Sequence, residues 1–205
     1  MIGMIKQPIL FDADGTLFDA TDLHYQSLNS ALKQHNLPTI KLVDHLKYFN
    51  GLPTSVKLNM LTHVKAIPEE LHDSIKKVKQ AFTLELIPKT IKPLDNILDT
   101  LEFLKGRGHP LAICSNAKFM TVKAMAEVSS CIQYFDFILG NEHVKHSKPN
   151  PEIFHVASEI YGVPLSECII VEDSIVGIKA AEAAKPFKVI QVKSPYHVNK
   201  EIFNI

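Results

Sequence analysis

The chain lacks an excess of charge of either sign: Lys and Arg together number 22, as do Asp and Glu, for a formal net charge of zero. A nucleic-acid or anionic-membrane partner would be announced by a basic surplus, so no nucleic acid and no membrane are expected among its partners. No apolar run reaches membrane-spanning length. The opening residues MIGMIKQPIL carry neither the apolar stretch nor the small-residue cleavage pattern of a secretory leader, and a cytoplasmic location is the expectation. Cysteine is scarce and unpatterned. Cys114, Cys131 and Cys168 form no CxxC pair, and two of them lie in strand-like apolar runs. Buried reduced thiols are therefore expected rather than a disulfide framework or a zinc site. Internal repeats and low-complexity tracts are also absent from the 205 residues, a length that suits one core-forming domain and a smaller accessory one.

What is present is a set of short, nearly continuous apolar runs: PILF (8–11), PLAIC (110–114), YFDFIL (134–139), CIIV (168–171) and FKVIQV (187–192). Runs apolar on both faces predict strands of a parallel sheet covered by helices on each side. Helix-period segments lie between them. In PLDNILDTLEFLKGRG, Leu94, Ile97, Leu98, Leu101 and Leu104 recur at helical spacing, with Gly106 or Gly108 as the stop. NPEIFHVASEIYGV opens with Pro151 near its first turn, and DSIVGIKAAEAAK with Asp173 or Ser174 as cap. Strand alternating with helix predicts an α/β fold, a Rossmann-like doubly wound parallel sheet.

Residues 21–90 break this rhythm. Their apolar residues fall at helical spacing, as in DLHYQSLNSALKQHN and PEELHDSIKKVKQAFTLEL, and no strand is evident. The segment reads as an α-helical domain inserted after the first strand, leaving 1–20 and 91–205 as the sheet domain, with hinges near Thr21 and Pro88 to Pro93.

Polar clusters follow the apolar runs. Asp12 and Asp14 follow the first, Ser115 and Asn116 the second, Lys148 lies in the loop beyond the third, and Glu172 and Asp173 follow the fourth. The carboxyl ends of the strands in an open parallel sheet form the ligand crevice, so these groups should converge. Asp12 and Asp14, two apart on an extended segment, should point to one side. Two adjacent carboxylates repel, and with Glu172 and Asp173 they make an oxygen-rich patch suited to Mg²⁺. Ser115, Asn116 and Lys148 would hold an anion beside that cation, as a phosphoryl group requires. One carboxylate could then act as nucleophile and another as general acid and base.

With these residues in view, FDADGTLFD, CSNA, SKPNPEIF and VEDSIVGIKAA resemble the four ordered motifs of the haloacid dehalogenase superfamily. The similarity is to the branch with a helical cap after the first motif, which includes phosphoglycolate-phosphatase-like and β-phosphoglucomutase-like proteins. The resemblance implies Asp12 as nucleophile and Asp14 as general acid and base. It implies Ser115 and Lys148 at the phosphoryl group. Asp12, the backbone carbonyl of Asp14, and Asp173 would hold Mg²⁺, with Glu172 assisting.

Departures within the cap bear on the substrate. His24 sits where β-phosphoglucomutase-like members carry a histidine near the substrate, although a helix-face histidine is an equal reading. The threonine of those members is Ala20 here, and the arginine expected to grip a second phosphate is absent from NGLPTSVKL. The second-motif position two beyond Ser115 is Ala117, while Lys118 is kept. A mutase must hold a bisphosphate in two orientations, and losing a bidentate guanidinium there is costly. Hydrolysis of a small phosphorylated metabolite, of phosphoglycolate or sugar-phosphate type, is therefore the expectation, with a phosphosugar mutase as the alternative. Gly51 and Thr54 in the cap loop, with Lys57 one turn on, would select the leaving group. A cap able to shield the site within one chain fits a monomer or weak homodimer.

Overall fold

The computed structural model describes residues 6–65 and 67–204. Two compact units emerge: one runs through Asp19 and resumes at Lys92, and the other spans Ala20–Ile91.

The first unit is built on five parallel strands: β1 (Ile9–Phe11), β2 (Leu111–Cys114), β3 (Phe137–Leu139), β4 (Ile169–Glu172) and β5 (Lys188–Gln191). Their order across the sheet is β3-β2-β1-β4-β5. β1 is flanked by β2 on one side and β4 on the other, which makes its exit the point where the winding reverses and a crevice opens. Registration is tight. Phe11 pairs with Ile113 on one side and Val171 on the other, so the next residue along each strand brings Asp12, Cys114 and Glu172 abreast.

Helices α5 (Asp95–Gly106), α6 (Phe119–Val128), α7 (Glu152–Tyr161) and α8 (Ile175–Ala184) belong to this unit. Leu10, Ala112 and Ile170 project into one core with Phe154, Ala157, Ala180 and Ala181, where small residues let α8 lie close to the sheet. Gly108, at φ 82°, turns the chain after α5, so it and not Gly106 supplies the stop. Ser174 is the residue that caps α8, its hydroxyl accepting from the Gly177 N–H at 3.0 Å. Lys185 closes that helix in the left-handed conformation, φ 52°. All three cysteines are buried and reduced.

The second unit contains α1 (Thr21–Gln34), a short α2 (Leu42–Asp44) continuing into a π-helical turn (His45–Phe49), α3 (Thr54–Lys65) and α4 (His72–Thr90). Leu28, Leu32, Ile40, Phe49, Leu58, Leu61 and Ile75 form its own core. Asn29 fixes the loop after α1, exchanging two hydrogen bonds of 2.8 and 2.9 Å with the Ile40 backbone. α4 runs through Pro88 to Thr90, and the boundary between the units, at Ile91 and Lys92, falls in the later part of the expected Pro88 to Pro93 stretch. None of the described helices is long and apolar enough to cross a membrane.

Candidate active site

The strand register decides the site's geometry. The Lys148 ammonium, buried at 4 % exposure, donates to Asp12 Oδ1 and to the Cys114 carbonyl, each at 2.7 Å, and closely to Glu172 Oε1. Its acceptors are the three positions the register sets abreast at the ends of β1, β2 and β4. A lysine ammonium has three donors, and all are used.

The loop carrying Lys148 is held from its own backbone. Asn116 Oδ1 accepts from the Lys148 N–H at 2.9 Å, and Asn116 Nδ2 donates to the Lys148 carbonyl at 3.2 Å. The expected anion-binding role of Asn116 thus meets a different observed duty, tying the end of β2 to the lysine loop. Ser115 is buried, and its Oγ accepts from the Ala117 N–H at 3.0 Å, leaving its hydroxyl proton to donate.

Beyond Phe11 the chain is no longer extended. It turns through Gly15 at φ 89°, with the Phe18 and Leu17 N–H groups returning to the Ala13 carbonyl. The expected extended segment at Asp12 and Asp14 is therefore a tight loop at the strand exit. This turn lies against Asp173: Thr16 Oγ1 donates to its Oδ1 at 3.2 Å, and a Cβ on Gly15 would sit 2.1 Å from its Oδ2. Gly177 plays the same part for Glu172, since a Cβ there would fall 2.0 Å from the carboxyl oxygen. Gly15 is the turn that the first motif's glycine predicts, whereas Thr16 and Gly177 escaped the sequence reading; the signal was small residues inside the DGT and VGIKAA stretches.

Charge in this site is unbalanced toward the negative. Burial, with Asp12 close by, pushes the Glu172 carboxyl up to about 8 and the Asp173 carboxyl up to about 7. Burial also raises Asp12, against the pull of Lys148 and with the push of Asp14. For Lys148, burial pulls downward, but Asp12 and Glu172 outweigh it and hold the ammonium charged. Asp12, Glu172 and Asp173 each offer a carboxylate oxygen, all within 4.8 Å of one another. An all-oxygen donor set with surplus negative charge fits a hard divalent cation. The side chain of Asp14 is not part of that grouping.

Residues 9–192 match the haloacid dehalogenase-like hydrolase family. The chain belongs to that family. It is 30% identical to a phosphoglycolate phosphatase of Aquifex aeolicus, over 86% of this chain and 80% of the relative. It is 26% identical to the fructose-1-phosphate phosphatase YqaB of Escherichia coli, over 86% of this chain and 91% of the relative. The chain also spans 66% of one Arabidopsis thaliana relative and 18% of another. Among solved structures, CbbY from Rhodobacter sphaeroides in complex with phosphate superposes with a TM-score of 0.85 at 19% identity, covering 98% of this chain and 100% of that one. That likeness concerns the fold.

The residues expected to touch substrate from the inserted domain lie in the second unit. Gly51, at φ 74°, turns the loop that leads to Thr54 at the start of α3, and Lys57 is buried one turn later. His24 Nδ1 lies 3.3 Å from Lys79 Nζ. Lys118 is in the sheet unit, exposed at the start of α6.

Proposed function

We propose that the protein is a Mg²⁺-dependent phosphatase acting on a small phosphorylated metabolite, of phosphoglycolate or sugar-phosphate type, through an aspartyl-phosphate formed on Asp12. The observation that carries this reading is the buried ammonium of Lys148 shared between Asp12 and Glu172 where the strands end. The names of the phosphoglycolate and fructose-1-phosphate phosphatase relatives support the substrate class.

In this reading Asp12 attacks phosphorus, and the ester oxygen leaves with a proton from Asp14. Asp14 then takes a proton from the water that cleaves the acyl phosphate. Lys148 and the Ser115 hydroxyl hold the phosphoryl oxygens, and Asn116 keeps Lys148 in register. Asp12 and Asp173, with the Asp14 backbone carbonyl and assistance from Glu172, would hold Mg²⁺, which when bound offsets negative charge on the phosphoryl group. His24, Gly51, Thr54, Lys57 and Lys118 would select the leaving group.

The test is phosphate release with Mg²⁺ from a panel of phosphate esters that includes phosphoglycolate, hexose phosphates and nucleoside monophosphates, with D12N as the blank. Selective release absent from D12N supports the reading. Release no greater than that blank, together with interconversion of hexose 1- and 6-phosphates in the presence of a bisphosphate primer, would replace it with a mutase.

A further inference from the structure

The loop that carries Asp12 and Asp14 ends at Asp19, the last residue of the sheet unit before the chain passes into the helical one. Within the loop, Asp14 and Phe18 form an isolated parallel bridge, and the Gly15 N–H donates to the Phe18 carbonyl at 2.8 Å. The place of Asp14 therefore follows that of Phe18, one residue short of Asp19. Leu17 and Phe18 are buried, whereas Asp19 is exposed. An exposed loop end with few apolar contacts opens readily unless another segment holds it.

That segment comes from the far end of the chain. Beyond β5 a 3₁₀ turn spans Pro195–His197, and the Tyr196 hydroxyl donates to Asp19 Oδ2 at 3.0 Å. The bond is charge-assisted, and Asp19 raises the phenol above its ordinary value, so the hydroxyl keeps the proton it donates. Tyr196 is 60% exposed, so its ring adds little to the core; what it offers the loop is the hydroxyl. Its own segment is firmly rooted. Asn96, in the first turn of α5, spends both Nδ2 protons on the Pro195 and Val198 carbonyls, each at 2.8 Å. Pro195 and Val198 are buried, and Phe203 lies against the Phe11 ring with centroids 6.1 Å apart. Tyr196 thus joins the end of the catalytic loop to a segment anchored in the same core as β1.

We infer that Tyr196 is a positioning residue for Asp14: by holding Asp19 it fixes the loop end, and with it the carboxyl that protonates the departing ester oxygen. The duty of Asp14 rests on the hydrolase reading. In that step a bond forms between Asp12 and phosphorus, the phosphorus–ester oxygen bond breaks, and the leaving oxygen takes its proton from Asp14. A proton donor must lie within hydrogen-bond reach of that oxygen, and a misplacement of about 1 Å can cost roughly 10²-fold.

The test compares p-nitrophenyl phosphate with phenyl phosphate, with Mg²⁺ present, in the parent and in Tyr196→Phe. The esters are close in shape, but p-nitrophenolate departs without a proton, whereas the poorer phenolate leaving group needs one. The quantity to compare is kcat/KM, which measures transition-state stabilisation from free enzyme and is blind to later hydrolysis of the phospho-enzyme. For phenyl phosphate it should fall about 3- to 10-fold, part of the roughly 10²–10⁴-fold that a placed proton donor supplies; for p-nitrophenyl phosphate it should change less than about twofold. Asp19→Asn keeps an oxygen for the phenol and should preserve the parent's ratio between the esters. Amide hydrogen exchange gives a reading free of turnover: Gly15, Leu17 and Phe18 should exchange severalfold faster in Tyr196→Phe, while Leu10 and Ile170 stay as in the parent. Unchanged exchange at those three amides would overturn the tether, and an equal loss with both esters would overturn its link to Asp14. A parent that releases no phosphate beyond its D12N blank would instead sink the hydrolase reading, with exchange still deciding whether Tyr196 holds the loop.

Discussion

In the sheet unit one buried ammonium meets three acceptors, whereas in the helical unit one buried imidazole, that of His45, meets no hydrogen-bond partner among the described residues. Both groups are enclosed and both sit among charges, yet their surroundings are opposite. Lys148 is held by two carboxylates and a carbonyl that strand register places abreast. His45 is surrounded by other bases on helices that converge without any such lattice. A parallel sheet can fix several side chains at once because neighbouring strands advance in step. A helical bundle offers no equivalent.

The sharpest way to break the first arrangement is to remove its central acceptor. Asp12→Asn should lower phosphate release by about 10⁴-fold or more, to the level of an enzyme-free control, in a Mg²⁺-dependent release assay. Replacing the donor is next. Lys148→Met should cost about 10²–10³-fold in release, and Lys148→Arg should not restore it, because a planar guanidinium cannot direct donors to three converging acceptors as an ammonium does.

The surplus negative charge makes a pH prediction for the metal-free protein. Glu172 and Asp173 have folded values of about 8 and about 7, above their ordinary 4.5 and 3.8. Between these limits the folded state binds more protons than the unfolded one, so stability falls as pH rises from about 4 to 8. Mg²⁺ should therefore raise the thermal midpoint more at pH 8 than at pH 6, as read by calorimetry. An equal rise at both would show that the carboxylates do not take the cation.

Packing around the carboxylates gives a smaller effect. Gly177→Ala puts a Cβ against the Glu172 carboxyl and should cost about 1–3 kcal/mol in denaturant unfolding. Gly106→Ala is the matched control in another helix, where a Cβ meets nothing within 4 Å. It should instead stabilise by up to about 1 kcal/mol, since alanine is the better helix former.

Much of the sheet unit was legible because uniformly apolar runs ending in polar residues are what doubly covered parallel strands look like. The runs at residues 8–11, 110–114 and 168–171 contain or overlap β1, β2 and β4. The function of Lys148 as a three-way link was not legible, since it depends on which residue faces which across the sheet. The bonds of Asn116 were illegible for a related reason: a polar residue beside Ser115 reads as a ligand group, and that its amide also ties down the lysine loop depends on the fold. The strand in YFDFIL proved shorter than the run, because its first residue, Tyr134, ends a 3₁₀ segment and β3 begins only at Phe137. His45 was hidden in an unremarkable helical pattern. Only the π-turn, which rotates the segment so that leucines face water, reveals it.

The buried cysteines carry a practical consequence. Burial pushes the thiols of Cys114 and Cys131 up to about 12 and that of Cys168 up to about 11. At neutral pH almost none of the nucleophilic thiolate is present, so mild oxidants and alkylating reagents find little to attack in the folded chain. Assays then need no reductant, and a cysteine introduced on the surface becomes a nearly background-free handle for a fluorophore or spin label.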